Sequence, residues 1–346
     1  MEKYTIIYPP IISWNDKIFQ RPHQLLAEFA RQGHFSILAN LTDDKRGLYW
    51  FPMDRLCISN RLEETLQNPD IQKKVKGTTT VFWNSWPKIF RLKDKIKPDI
   101  HVFDYIDEAS EEFYHWQEGL VESISSADLV VCSSNRLFNL VSEQYPEKRI
   151  RIVKNGADIR PYLVRSPPIP DELAELKQRY SCIVGFHGSL QSWVDYRLIA
   201  GIADKRPDWG IVLVGPEYCP ADVCKKKANV HLLGFKPYKE LYQYVTHFDV
   251  GIIPFQVRQL THSSNPIKMY EYLAAGVPVV ATPIQECVQY QPYIRIAGSA
   301  DDFIVKIEEA RNVGEQEKRN YRIVARKNSW EERVHSILKE LKAIQK

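Results

Sequence analysis

Short runs of consecutive apolar residues alternate along the chain with longer stretches in which apolar positions return every three or four residues. In the first half the runs are YTIIY, FSILAN, TTVFWNS, IHVFDY, DLVVCSS and IRIVKNG. They are too short for helices and show no polar alternation, which is the pattern of strands buried on both faces of a parallel sheet. Between them, RPHQLLAEFARQGH and SEEFYHWQEGLVESISSA carry helical spacing, so the first half predicts βαβ units. The rhythm breaks at RSPPIPDEL, where Pro167, Pro168 and Pro170 oppose regular structure. It restarts with SCIVGFHGSL, WGIVLVGP, NVHLLGF, FDVGIIPF, VPVVATP and YIRIAGS. The expectation is an α/β chain of two doubly wound, Rossmann-like domains, residues 1–165 and 174–328, joined by a linker at 166–173 that begins at Ser166. A closing helix follows over 329–346, with Ser329 as N-cap and Glu332 completing a capping box.

Composition narrows the class. A chain of 346 residues, 44% hydrophobic and 26% charged, is long enough for two domains with substantial cores. Its net charge of +4 suits anionic small molecules or a membrane surface better than nucleic acid. The six cysteines are scattered through strand-like runs, and the one close pair, Cys219 and Cys224, has no second pair to complete a zinc site. They read as reduced and structural. No apolar run approaches the roughly 20 residues needed to span a bilayer, so a cytoplasmic protein is expected.

Two doubly wound domains create a cleft beyond the carboxyl ends of their strands, and ligands bind there. The second domain places GFHGSL, VGPEYCP, LGFKPYKEL and IPFQVRQLTHSSNPIKMYEYLAAG at its strand ends. Glycines 185, 188, 215 and 234 permit close backbone approach, and helix N-termini opening from these loops favour an anion such as a diphosphate. No GxGxxG follows the first strand of either half, which argues against a nicotinamide cofactor.

The ordered motifs FQRPHQLLAEFARQGH, VFDYIDE, VKNGADIRPY, LGF, FDVGIIPF and EYLAAG followed by VPVVATP resemble the GT-B glycosyltransferases, specifically the family 4-like retaining group. The form NPIKMYEYLAAG is similar to its teichuronic-acid and surface-polysaccharide members. The resemblance implies a nucleotide-sugar donor, UDP-sugar favoured, as substrate, no cofactor and no metal. It also implies a C-terminal helix that packs back on the first domain. By it, Glu271 accepts hydrogen bonds from the donor's ribose hydroxyls, while the helix start at Asn265, Ile267 and Lys268 faces the diphosphate. Gly188, Ser189, Gly215, Pro216, Gly234 and Phe235 complete the donor side. Family members commonly carry a second glutamate eight residues before this one; here that position is Ser263. Ser263, Ser264 or His262 is the candidate to contact the sugar instead.

The chemistry implied is glycosyl transfer through an oxocarbenium-like transition state, with charge developing on the leaving diphosphate. Candidates to stabilise it are the Gly188–Ser189 backbone, Lys268, and Arg258 or His262. His187 is equally a satisfied histidine at a strand end, and Lys225–Lys227 read as a solvated face. The acceptor belongs to the first domain. There Gln20, Arg21 and His23 open the helix after the first strand, with Arg21 able to pair with an acceptor phosphate and His23 to pack under the loop. Asp104 and Asp107 end another strand at the same edge, as holders of acceptor hydroxyls or a base; Asp107 is equally a helix cap. Neither has metal-ligand spacing. In WPKIFRLKDKIKPD, Lys88, Arg91, Lys93, Lys95 and Lys97 interleave with Trp86, Ile89, Phe90, Leu92 and Ile96. This basic amphipathic pattern fits either an anionic leaflet, making the acceptor a lipid-linked glycan and the enzyme peripheral on the inner face of the membrane, or a core face with solvated lysines. A nucleotide-sugar 2-epimerase of the same fold and a non-catalytic sugar-nucleotide-binding protein are the alternatives.

Overall fold

The computed structural model describes residues 2–164 and 167–345. Two compact units emerge, Met1–Lys154 with Arg333–Lys346, and Asn155–Glu332. Among the described residues, no helix is long and apolar enough to cross a membrane. The expected linker at 166–173 therefore lies inside the second unit, and its start, Ser166, is outside the described residues. Three of its positions already belong to the helix Asp171–Arg179, for which Pro170 is the N-cap. A proline preceding the first helical residue needs no amide there, so the run starts a helix as readily as it blocks one.

The first unit is built on an eight-stranded sheet in the order β3-β4-β2-β1-β5-β6-β7-β8. The strands are β1 Tyr4–Tyr8, β2 Phe35–Ala39, β3 Tyr49–Met53, β4 Leu56–Ser59, β5 Thr79–Asn84, β6 Ile100–Tyr105, β7 Leu129–Cys132 and β8 Ile150–Ile152. All neighbours are parallel except β3, which turns back on β4. Every predicted strand is present. The β3–β4 hairpin is additional: β3 is half exposed and contains Pro52, so it lacks the apolar run that marks the others. The order reverses direction between β1 and β5, which is where a doubly wound sheet opens a ligand crevice. Residues from Arg333 on belong to this unit, where Glu340 pairs with Arg151 at 2.9 Å. Ser329 Oγ accepts the Glu332 amide at 3.3 Å at the start of the helix Trp330–Ile344.

The second unit holds a six-stranded, all-parallel sheet in the order β11-β10-β9-β12-β13-β14. Its strands are β9 Cys182–His187, β10 Trp209–Val214, β11 Val230–Gly234, β12 Val250–Ile253, β13 Val279–Ala281 and β14 Arg295–Ile296. The central four, β9, β10, β12 and β13, are buried at every position, which is why they read as unbroken apolar runs. Here the order reverses between β9 and β12, so the loops after those two strands are the predicted ligand edge. All six cysteines are free thiols, five of them buried.

The basic segment is not one continuous helix. It forms the turn Pro87–Ile89 and the five-residue helix Leu92–Ile96, which ends at Lys97 in a left-handed conformation, φ 51°. Lys88 pairs with Glu118 at 2.5 Å, Lys93 with Asp94 at 2.8 Å and Lys95 with Glu63 at 3.0 Å.

Candidate active site

The helix Ile267–Ala275 follows β12 and is buried on nearly all sides, from Met269 through Ala274. What sets its rotation is Tyr272. Its ring is fully buried, and its hydroxyl accepts the His187 amide at 3.1 Å and lies 3.3 Å from the Gly185 carbonyl oxygen to which it donates. The helix is thereby fixed to the end of β9, and the preceding residue, Glu271, falls at the strand reversal. Glu271 is 3% exposed, with Oε2 3.3 Å from His187 Nε2. Burial pushes its carboxyl up to about 7, with Lys268 and a hydrogen bond from Tyr238 opposing the shift.

Lys268, one turn earlier, lays its ammonium over the rings of Phe255 and Phe186, 4.7 and 5.1 Å from their centroids. Burial lowers its pKa to about 8 against the favourable pull of Glu271. The side chain also lies over the loop after β9: a Cβ on Gly188 would sit 3.1 Å from Lys268 Cε. Gly188 has φ +124° and Gly215 φ +151°, values that L side chains rarely adopt. A Cβ on Gly215 would collide with the Gly188 carbonyl oxygen. Gly188 donates to the Val214 carbonyl at 2.9 Å and Gly215 to that of Gly234 at 2.8 Å, so three adjacent strand ends form one glycine-lined rim. Phe235, just beyond, is 41% exposed.

The structure therefore brings together Gly188, Gly215, Gly234, Lys268 and Glu271, with Ser189, Pro216, Phe235 and Ile267 flanking them in sequence. Arg258 stands before the short helix Gln259–Ser263, and His262 Nδ1 accepts the Gln285 amide at 3.3 Å. Two of the candidate residues on this side have their side chains engaged within the protein. Asn265 is a structural pin: its Oδ1 accepts from the Asn155 amide at 2.8 Å and the Tyr270 hydroxyl at 3.1 Å, and its Nδ2 donates to the buried Glu286 at 2.8 Å. Its side-chain acceptor is filled from within the protein. Ser263, at the position of the family's second glutamate, is fully buried and donates to the Gln259 carbonyl of its own helix at 3.3 Å. Asn155, Glu286, Tyr238 and Tyr272 were not singled out from sequence, because each meets the site through tertiary packing and none carries a local pattern. Lys225 and Lys227 are on the surface, paired with Glu217 at 2.6 Å and with Asp204 at 2.6 Å.

In the first unit the expected acceptor cluster resolves differently. Arg21 Nε and Nη2 each meet one oxygen of Asp104 at 2.8 Å, and Asp104 also accepts from Trp83 Nε1 at 3.0 Å. Arg21 is therefore not presented to an acceptor phosphate, nor is Asp104 a base. His23 is likewise internal: Nδ1 accepts the Gln20 amide at 3.2 Å, Nε2 faces the Ser13 carbonyl at 3.0 Å, and burial lowers its pKa. It packs under the loop after β1, stacked on Phe19 at 4.7 Å. Asp107 differs from all three. Ser110, not Asp107, is the N-cap of the helical turn Glu111–Gln117. Burial and the neighbouring Asp104 raise the Asp107 carboxyl to about 6. Among the described residues, no group of three or more His, Cys, Asp or Glu side chains could hold a metal ion.

Comparison with known proteins bears on the second unit and on the fold. The family of glycosyl transferases group 1 matches residues 181–312. A Bacillus subtilis protein provisionally named teichuronic acid biosynthesis glycosyltransferase TuaH is 29% identical over 228 residues, 62% of this chain. The match spans 57% of that relative's length. Among solved structures, sucrose-phosphate synthase from Thermosynechococcus elongatus superposes with a TM-score of 0.71 at 12% identity, covering 99% of both chains. The Anabaena HepE protein, solved in complex with UDP and glucose, gives 0.69 at 15% identity, covering 97% of this chain and 99% of its own. Residues 181–312 thus match the group 1 glycosyltransferase family, within a chain that shares the GT-B fold of those solved structures.

Proposed function

We propose that the chain transfers a sugar from a nucleoside diphosphate sugar, UDP-sugar favoured, to a glycan or lipid-linked acceptor in surface-polysaccharide synthesis, with retention at the anomeric carbon. The observation that carries this reading is the buried Glu271 carboxylate at the strand reversal, beside the Lys268 ammonium and the Gly188 loop. An ionised carboxylate at this point accepts two ribose hydroxyls. The open N-terminus of its helix, the Gly188–Ser189 backbone and Lys268 then supply positive potential to the diphosphate, and Phe235 offers a ring face to the base. That the Anabaena HepE structure holds UDP and glucose supports the choice of donor.

In the step itself the acceptor oxygen bonds to the anomeric carbon as the bond to the diphosphate oxygen breaks. The acceptor's proton passes to that departing oxygen on the same face, so the protein supplies no nucleophile. Its contribution is to stabilise the growing diphosphate charge, which removal of one well-placed donor elsewhere shows to be worth about 3–4 kcal/mol. Acceptor recognition is assigned to the first unit, with Asp107 holding an acceptor hydroxyl. A lipid-linked acceptor is supported by a groove of about 830 Å³ whose apolar lining of Pro10, Leu62, Leu66, Leu92 and Ile96 is interleaved with Arg61, Glu63, Glu64, Gln67, Gln72 and Lys95, beside the basic segment that would face an anionic membrane.

Incubation with radiolabelled nucleotide sugars and a membrane extract tests the reading. Label appearing in lipid or glycan supports transfer. An isomerised donor would instead indicate the epimerase, and binding without turnover a non-catalytic protein.

A further inference from the structure

The imidazole of His187 takes no part in the transfer described above, yet it is placed with unusual definition. It is 4% exposed, at the last position of β9. Its ring stands edge-on to that of Tyr272, 5.1 Å between centroids at 87°, and its backbone amide is held by the Tyr272 hydroxyl. Nε2 lies 3.3 Å from Glu271 Oε2, but the two are not aligned as donor and acceptor, and Nε2 has no hydrogen-bond partner among the described residues. A buried ring nitrogen left in this way asks for an explanation, and its place beside Glu271 at the strand reversal points to a ligand group.

The chemistry of the pair restricts what that group is. Burial and the Lys268 ammonium keep the ring neutral, so its free nitrogen acts as a single donor or a single acceptor. Glu271 when ionised only accepts. A hydroxyl combines both capacities in one atom: it donates to Oε2 while receiving or sharing a hydrogen with Nε2. An anion would be repelled by the carboxylate, and an apolar group would satisfy neither atom. Glu271 already takes one hydroxyl, that of Tyr238, which is the kind of group its carboxylate accepts.

We propose that His187 and Glu271 together clamp one ribose hydroxyl of the donor, which makes His187 a specificity-determining residue that selects ribonucleotides over their deoxy counterparts. This rests on the donor site proposed above, and it adds a second protein ligand to the hydroxyl that Glu271 holds.

Calorimetric titration of UDP, 2′-deoxy-UDP and 3′-deoxy-UDP into the full chain, and into the His187→Phe, His187→Gln and Glu271→Gln variants, separates the two claims. The wild-type protein is expected to bind UDP at least about tenfold more tightly than one of the deoxy analogues. His187→Phe should lose about tenfold in UDP affinity and bind UDP and that analogue equally, and His187→Gln, which keeps a polar atom, should recover part of the difference. Equal wild-type affinity for UDP and both analogues overturns the clamp, even if His187→Phe fails to fold. So does a folded His187→Phe that retains the wild-type preference while Glu271→Gln weakens UDP, and in that case the donor site stands without the clamp. If UDP fails to bind the wild-type chain at all, the donor site falls and the clamp with it.

Discussion

Arg21 and Asp104 hold each other in a bidentate pair, both nitrogen–oxygen distances 2.8 Å, with Arg21 3% exposed and Asp104 fully buried. The arginine opens the helix after β1 and the carboxylate stands one residue before the end of β6, so the pair bolts the helix to the sheet beside the reversal between β1 and β5. Breaking such a pair leaves an uncompensated buried charge, which costs about 3–5 kcal/mol. Arg21→Leu should therefore lower the melting midpoint by roughly 10 °C while leaving UDP affinity unchanged in any protein that remains folded. The double variant Arg21→Leu/Asp104→Leu should recover part of the loss, because neither charge is then stranded. A midpoint unmoved by Arg21→Leu would place the pair outside the stability of the chain.

That pair also marks where the sequence is legible and where it is not. The strands could be read because central parallel strands are buried on both faces and leave continuous apolar runs. The hairpin strand β3 could not, since its half-exposed residues and Pro52 carry no such run. In the same way the nearness of Gly188, Lys268 and Glu271 to one another could be expected from local motifs, because a helix and a loop define their positions. Arg21 looked available because its partner lies 83 residues away, and Asn265 because the Asn155 amide that fills its carbonyl lies 110 residues away. Polar residues at a strand end announce an edge, but only the folded packing decides whether they face a ligand or each other.

The pH dependence of nucleotide binding follows from the donor pair. Ribose hydroxyls need the ionised form of Glu271, whose carboxyl stands at about 7 in the ligand-free chain. Binding then expels a proton, and affinity should fall about tenfold per unit below that pH. Lys268 stands at about 8 and must be protonated to face the diphosphate, so affinity should fall again above it. UDP titrations across pH 5.5–9.5 should show a maximum between about 7 and 8, and Glu271→Gln should flatten the acid limb that remains after the nucleotide's own titration. An acid limb identical in both proteins would assign it to the nucleotide alone. Stability of the ligand-free chain runs the other way. With its folded pKa raised from 4.5, Glu271 contributes most below about 4.5, and that contribution is lost as pH rises through about 7.

Gly215 supports the donor loop rather than the ligand directly. At φ +151°, and with a Cβ driven into the Gly188 carbonyl, Gly215→Ala must displace the Gly188 backbone. The expected result is a loss of about 1–3 kcal/mol in stability together with at least about tenfold weaker UDP binding. Gly314→Ala, where a Cβ meets open space, is the control. Equal behaviour of the two variants would show that the rim tolerates movement.

Three of the five cations in the basic segment are already ion-paired, to Glu118, Asp94 and Glu63. Membrane attraction of about 1 kcal/mol per available basic residue then predicts weak, salt-sensitive binding to anionic vesicles and none to neutral ones. Co-sedimentation at low salt should capture the protein with phosphatidylserine-containing liposomes, and charge reversal at Lys93, Lys95 and Lys97 should release it. Protein that stays in the supernatant at low salt would favour a soluble acceptor.

The central claim is that Glu271 anchors a donor nucleotide. Calorimetric titration of UDP into the wild-type chain and into Glu271→Gln tests it most directly, because the substitution keeps size and removes only the charge. Two charge-assisted hydrogen bonds, each worth about 1.5–3 kcal/mol, become neutral ones, so UDP affinity should fall at least about tenfold while the melting curve stays close to that of the wild type. UDP bound equally well by both proteins, with normal melting of each, would contradict the account.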